Sequence, residues 1–275
     1  MAAYPDGDPT RRFGTRAAAY ARARPSYPDA AVAELSHALK LAKGCLVVDL
    51  GCGTGLSSEV FLRAGFRVIG IEPSELMRLH AMGLADRYPG FTVLDGRAEA
   101  TAVDAGCADL VIAAQAFHWF DVAAARREAL RISRRPAQAA LLWNDRRTDG
   151  SEFALGYEQL LRRFCTDYAE LQQQHARPER VTAFFGNERW RTIQVAHSTP
   201  LDLQTLTDRL NSASYVPAAT DPRHSVMMRS LRELFVATAR EGVVQMEFAT
   251  RVHFGQIDPV PLTPAAPPAG SASSS

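Results

Sequence analysis

The chain reads as a doubly wound α/β protein, a mostly parallel sheet with helices on both faces, and three observations predict it. Short apolar runs rich in β-branched residues alternate with helical patterns from residue 45 to residue 143, as in parallel strands joined by crossover helices. The first run, Leu46-Val47-Val48-Asp49-Leu50, breaks abruptly into three alternating glycines, Gly51, Gly53 and Gly55. An acid, Glu72, follows a second apolar run about twenty residues later, the place where α/β nucleotide sites take two ribose hydroxyls.

Each element follows in turn. Residues 1–12 are polar, contain Pro and Gly, and read as loose. Phe13 to Arg24 is a short helix ended by Pro25, and Pro28 to Ala42 a second, with Pro28 in its first turn. Strands are expected at 45–50, 67–72, 91–95, 108–114 and 138–143, with helices at 56–64, 74–87 and 122–134. The pattern changes at Asn144-Asp-Arg-Arg-Thr-Asp-Gly150. Residues 152–171 form one long amphipathic helix, and a short helix near 178–184 starts at a proline. Residues 190–200 are the sixth strand, 202–213 and 222–240 helices, and 243–254 the seventh strand. The tail 258–275 is rich in Pro, Ala, Gly and Ser and cannot bury enough apolar surface to order itself.

Composition narrows the classes. At 275 residues the chain holds one full α/β domain with an insertion, or two small domains. A net charge of +1, with lysine only at Lys40 and Lys43 and the arginines spread out, gives no long-range reason to seek nucleic acid. There is no basic stripe and no motif for a flipped base. No run of eighteen apolar residues occurs, so no membrane span is expected. The N-terminus lacks a charged region followed by an apolar stretch, so a cytoplasmic protein is expected. The cysteines Cys45, Cys52, Cys107 and Cys165 show no C-x-x-C pair and no metal-ligand spacing, so they read as free thiols and no metal is expected.

The glycine loop carries the chemistry. Glycine takes positive φ and allows close backbone approach. A strand, a tight loop and a helix N-terminus aim free N–H groups and a positive dipole end at a ligand. The loop reads Gly51-x-Gly53-x-Gly55, so the dinucleotide pattern G-x-G-x-x-G is not met, and no Gly-Lys-Ser/Thr follows. Asp49 would repel a pyrophosphate but suits an ammonium or sulfonium. The ligand expected is a nucleoside with a cationic or zwitterionic tail and no phosphates.

Val47-Val48-Asp49-Leu50-Gly51-Cys52-Gly53-Thr54-Gly55 resembles motif I of class I S-adenosylmethionine-dependent methyltransferases. Val68 to Ser74 resembles their second motif, Gly96-Arg97-Ala98-Glu99 their adenine-flanking stretch, and Ala108 to Asp121 their fourth strand and its exit. The segment Gln115-Ala-Phe-His-Trp-Phe-Asp121 is similar to a small-molecule subgroup related to the trans-aconitate enzymes. The opening Tyr20 to Pro28 and the closing Ala249 to Phe254 match that subgroup as well. The likeness covers roughly residues 13 to 255 and is specific to class, not to substrate.

The resemblance implies a Rossmann-like seven-stranded sheet, six strands parallel and the last antiparallel, with a helical insertion over the active site. It divides the chain into a lid segment 1–27, a cofactor-binding core 28–144, a cover 145–186 and a second part of the core 187–257. The implied cofactor is S-adenosyl-L-methionine and the product S-adenosyl-L-homocysteine, with a small-molecule substrate and a monomer or homodimer. Asp49 would hold the methionine ammonium directly or through water, with the loop Gly51, Cys52, Gly53 and Gly55 beside it. Glu72, followed by Pro73, would take the ribose. Arg97, Ala98 and Glu99 would flank the adenine, although Arg97 stands where the family often has aspartate, and Glu99 reads equally as a helix-end or ion-pair residue. Gln115, Tyr20 and Arg24 complete the cofactor set. Tyr20, Arg24 and Tyr27 read either as a lid or as caps of the first helices. On the substrate side stand Tyr27, Trp119, Arg146, Arg147 and Tyr215, with Arg223 and His224 placed there by position; the arginine pair reads as a carboxylate clamp or as a solvated loop. His118 is the one nominated acid/base, a structural hydrogen-bond donor being the alternative. A protein that binds the nucleoside without transfer is the rival from another class, and thiol, nitrogen or carbon acceptors are the alternatives within this one.

Overall fold

The computed structural model describes residues 25–166, 168, 177–213 and 215–259. The expected helix Phe13–Arg24, the residues Tyr20 and Arg24, and the tail from 260 onward lie outside these.

Seven strands form one sheet: β1 (Leu46–Leu50), β2 (Arg67–Ile71), β3 (Phe91–Leu94), β4 (Leu110–Ala114), β5 (Gln138–Arg146), β6 (Arg191–Leu201) and β7 (Val244–Gln256). Their order is β3-β2-β1-β4-β5-β7-β6. β1 pairs in parallel with β2 and β4, β2 with β3, and β4 with β5. β7 runs antiparallel to both β5 and β6, so β7 alone is reversed, as the resemblance implied. The chain order reverses between β1 and β4, and such a switch point opens a crevice at the carboxyl ends of the strands.

The central strands are apolar on both sides because both sides are covered. Val47, Val48 and all of β4 are buried. On one face α1 (Asp29–Leu39) and α2 (Leu56–Arg63) bury Val32, Leu35, Val60 and Phe61 against Val47, Val68 and Leu110. Also in the fold is α3 (Glu75–Met82), which follows β2. On the opposite face α4 (Val122–Ile132) packs Ala125, Ala129 and Ile132 against Val48, Val111 and Leu141.

A third cluster stands apart from these two. α5 (Glu152–Phe164), α7 (Leu203–Asn211) and α8 (Pro222–Thr238) pack Tyr157, Leu161, Leu206, Leu210, Met227 and Leu231 together with Leu201, Met246 and Phe248. Those last three residues lie at the end of β6 and the start of β7, so the cluster covers the carboxyl edge of β5. The cover is thus built from both sides of β6. By contrast α6 (Pro178–Phe185), expected with the insertion 145–186, places Val181, Phe184 and Phe185 in the sheet's second core. Its apolar side chains recur at helical spacing and match the layer beside α4, with which it packs.

Several boundaries differ from expectation for local reasons. α4, α5, α7 and α8 begin after Asp121, Ser151, Asp202 and Asp221, each accepting a backbone N–H of the first turn. β5 runs on to Arg146 because β7 supplies partners that far, with Arg146 opposite Phe248. The helix expected over 152–171 ends at Phe164, where Cys165 turns extended.

Candidate functional site

The glycine loop sits at the carboxyl end of β1. Gly51, Gly53 and Gly55 all have positive φ, at 71°, 57° and 88°. They are not equivalent. A Cβ on Gly51 would meet Ala116 Cβ at 2.7 Å and one on Gly55 would run into Leu84 Cδ1, whereas one on Gly53 would meet nothing within 4 Å. The outer glycines let the loop pack against the protein, and the middle one faces open space.

Glu72 ties this loop to the end of β2. Its Oε2 accepts from Gly53 N at 3.0 Å and its Oε1 from Ser74 N at 2.9 Å. Arg78 donates to the Glu72 carbonyl at 2.8 Å and to Asp95 at 3.0 Å. Burial pushes the Glu72 carboxyl above its ordinary value, against the pull of the Ser74 and Gly53 N–H groups and of Arg78. Pro73 is half-buried beside it.

Asp49 departs from the expected place. Its side chain is fully buried beneath the loop instead of standing at the strand mouth. Oδ2 accepts from the Ser57 and Ser58 hydroxyls of α2 at 2.7 and 2.8 Å. Oδ1 is buried with no hydrogen-bond partner among the described residues. Burial raises the carboxyl to about 6, the two serines lower it, and Glu72 adds to the rise. Neighbouring Cys52 is buried, and burial with the Asp49 and Glu72 charges holds its thiol well above the ordinary range. It packs where a Cβ on Gly70 would come within 2.6 Å of its sulfur, so it is a small core side chain.

The exit of β4 forms the opposite bank. Gln115 has φ 55°, a conformation that costs a non-glycine residue about 1 kcal/mol or more. It is held there by its own N–H to Leu142 O at 3.0 Å and by Nε2 to Asn144 O at 3.2 Å. A 3-10 turn, Phe117–Trp119, follows. Phe117 is its buried anchor, edge-on to Phe184 with ring centres 5.4 Å apart. That anchor leaves His118 and Trp119 half-buried side by side, ring centres 4.7 Å apart.

Glu99 accepts from Asp121 N at 2.9 Å, so it ties the loop after β3 to the start of α4, the helix-end alternative. Ala98 is buried in the core, and Arg97 is exposed in a turn where its backbone exchanges hydrogen bonds with Ala100.

The two expected clamp arginines do not act together. β5 ends at Arg146 and Arg147 lies just beyond it, and the two find different partners. Arg146 donates to Glu158 at 2.5 Å and to Tyr168 Oη at 2.8 Å, with its guanidinium 5.0 Å from the Tyr157 ring centre. Burial pushes the Glu158 carboxyl up, but the bonds from Tyr168 and Arg146 outweigh it and leave it below its ordinary value. Arg147 reaches Asp149 at 3.4 Å and Glu247 at 4.0 Å on the surface. Tyr215 lies edge-on to Tyr168 at 5.2 Å, part of the cover, and Tyr27 is buried in the first core cluster. Arg223 pairs with Asp221 at the start of α8, and His224 bonds Asn211.

Asn144 was missed. Its Nδ2 donates to Ser26 O at 3.2 Å and Pro25 O at 3.4 Å, and its Oδ1 accepts from Thr250 Oγ1 at 2.5 Å. It thereby fastens the segment before α1 to the end of β5, next to Gln115. The signal was present: a polar amide directly ends the apolar run Leu141-Leu142-Trp143.

Among the described residues no group of three or more His, Cys, Asp and Glu side chains could hold a metal ion. No helix there is long and apolar enough to cross a membrane.

Residues 48–140, from the glycine loop through β4 to β5, match the family model described as a methyltransferase domain. Residues 48–140 are thus similar to a methyltransferase domain. A relative of this domain, an uncharacterized methyltransferase of Mycobacterium tuberculosis, is 36% identical over 139 residues, or 50% of this chain and 54% of the relative. The ubiquinone biosynthesis O-methyltransferase of Haemophilus ducreyi is 42% identical over 74 residues, 25% of this chain and 31% of that one. The chain thus spans about half the length, or less, of the curated relatives it matches. Among solved structures, one described provisionally as a type II methyltransferase from Anaeromyxobacter dehalogenans superposes with a TM-score of 0.63 at 25% identity. That likeness covers 85% of this chain and 98% of the other, so the methyltransferase fold extends beyond the matched core.

Proposed function

We propose that this chain binds S-adenosylmethionine across the carboxyl ends of β1, β2 and β4 and transfers its methyl group to an oxygen of a small molecule, a carboxylate first. The observation that carries the reading is the link from Gly53 N to Glu72, which sets an acid of β2 against a loop whose middle glycine faces open space. The residues fit the cofactor. Glu72 is an acid at the end of the second strand, suited to two hydroxyls. Gly53 lets a ligand approach the backbone. Asp49 Oδ1 is an orphaned buried oxygen that a cationic group or its water would satisfy.

When bound, the cofactor supplies an electrophilic methyl on a sulfonium. The chain's own part is to position and to dry. Asp49 orders the junction of loop and helix through Ser57 and Ser58. Gln115 turns β4 away so that the aromatic turn 117–119 walls the space beside it. Aromatic faces favour a cation and exclude water, and alignment of the reacting pair supplies an effective molarity of order 10⁵ M or more. The Asn144 bonds to Pro25 and Ser26 fasten the described end of the expected lid segment 1–27 beside Gln115, while Tyr20 and Arg24 lie outside the described residues.

A carboxylate acceptor is already ionised and needs no base; the resemblance of Gln115–Asp121 supports it. A phenol, alcohol or thiol needs one, and His118 is then the candidate. The test is transfer of labelled methyl into a panel of carboxylates, phenols and thiols, each product then treated with mild alkali. Label released as methanol supports the ester. Label that stays attached refutes it and makes His118 the first residue to substitute.

A further inference from the structure

The helix α6 reaches the aromatic turn after β4 through Arg180, a residue of its first turn. α6 is firmly anchored: Val181, Phe184 and Phe185 are buried in the second core cluster, and Trp190 Nε1 donates to Thr182 Oγ1 at 3.1 Å. A cation in the first turn of a helix opposes the helix dipole, so α6 itself gives no reason for an arginine there. Its partners lie outside the helix.

Arg180 Nη2 donates to Phe120 O at 3.0 Å and, more weakly, to Phe117 O at 3.4 Å. Its guanidinium stands 5.6 Å from the Phe117 ring centre. A three-residue 3-10 turn leaves its last carbonyls short of N–H partners, and Ala116 gives Phe117–Trp119 no side-chain cap. A charged donor makes the stronger kind of hydrogen bond to such carbonyls. On the far side Glu99 accepts from Asp121 N at 2.9 Å. The backbone that carries His118 and Trp119 is therefore gripped by α6 on one side and by the loop after β3 on the other.

We propose that Arg180 is a positioning residue for methyl transfer. By fixing the carbonyls of Phe117 and Phe120, which bracket His118 and Trp119, it sets how those two rings face the space beside Gln115. The inference rests on the reading of this turn as a wall of the acceptor site. Arg180 acts through the turn, so its loss disturbs the acceptor side and leaves cofactor binding alone.

The chain has three tryptophans, Trp119, Trp143 and Trp190, so fluorine NMR of the full chain labelled with 5-fluorotryptophan reads the turn and α6 together. Trp119→Phe assigns the line of the turn, and Trp190 reports on α6 through Thr182. In Arg180→Met, which keeps the stem and loses the donors, the Trp119 line is expected to shift or broaden while the Trp190 line stays in place. Arg180→Lys, which keeps a charged donor, returns the Trp119 line toward wild type. In Arg180→Met the affinity for S-adenosylhomocysteine, read by calorimetry, stays within about twofold, while kcat/KM for the acceptor found with the methyl panel falls by about tenfold or more and partly recovers with lysine. An unmoved Trp119 line, Trp119 and Trp190 lines that move together, or an unchanged kcat/KM overturns the proposal. If Arg180→Met does not fold, Arg180→Gln, neutral and shorter, replaces it under the same criteria. A wild type that binds no S-adenosylhomocysteine refutes the proposed function instead, and the fluorine lines still decide whether Arg180 holds the turn.

Discussion

Replacing Asp49 by asparagine isolates the buried carboxylate under the glycine loop. Burial raises that carboxyl from 3.8 to about 6, a difference of about 3 kcal/mol between its charged and neutral forms. Because the folded-state value is the higher one, the folded chain holds the proton more tightly. This contribution to stability is full below pH 3.8 and is lost as pH rises through 6. Asparagine cannot ionise, so its stability lacks the contribution. At pH 4 it is the less stable protein, by about 1–2 kcal/mol, because its amide puts N–H groups where Oδ1 finds no partner. At pH 8 the charged wild type has lost about 3 kcal/mol and the order inverts. Urea unfolding of both proteins without ligand, from pH 4 to pH 8, reads the difference, and the titrations common to both cancel. A difference independent of pH would refute the assignment of a buried, raised carboxyl to Asp49. A cationic ligand group beside Oδ1 favours the charged form, so cofactor affinity of the wild type rises through pH 6 and that of Asp49→Asn does not.

Other outcomes follow from the same geometry. Gly51→Ala drives a methyl into Ala116 and lowers stability by about 2–3 kcal/mol, seen as a drop in Tm. Gln115→Gly relieves the positive φ while adding chain entropy to the unfolded state, so Tm stays within a few degrees while methyl transfer falls at least tenfold; unchanged turnover would remove Gln115 from the site. Arg146→Met removes the buried cation of Glu158 and leaves it only the exposed Arg162, at 2.7 Å, and the Tyr168 hydroxyl, and costs about 1–2 kcal/mol, whereas Arg147→Ala, on the surface, changes unfolding by less than about 0.5 kcal/mol. Equal effects would contradict the separation of the two arginines.

The alternation of strands and helices was legible because each central strand is buried on both faces and so reads as a continuous apolar run. The glycine loop was legible too, since positive φ at three alternating positions leaves few other residue types. Charges and aromatics placed by contacts across the fold were not. Arg146 and Arg147 are adjacent in sequence, and nothing local says that Glu158 and Tyr168 take one of them. Asp49 reads as a strand-end acid because Ser57 and Ser58 become its donors only once α2 folds back. The 3-10 turn at Phe117–Trp119 has no periodic signature at three residues. α6 and α7 each carry a short apolar face, and only the sheet decides which covers the core and which covers the site.

The central claim is that the Gly53–Glu72 corner holds S-adenosylmethionine, and calorimetric titration with S-adenosylhomocysteine tests it most directly when run on the wild type and Gly53→Ala. A Cβ at Gly53 meets no protein atom within 4 Å, so the variant folds with a loss of about 1 kcal/mol from its positive φ. The account predicts one site per chain in the wild type and at least a tenfold weaker one in the folded variant. No binding by the wild type, or equal binding by both, would contradict it.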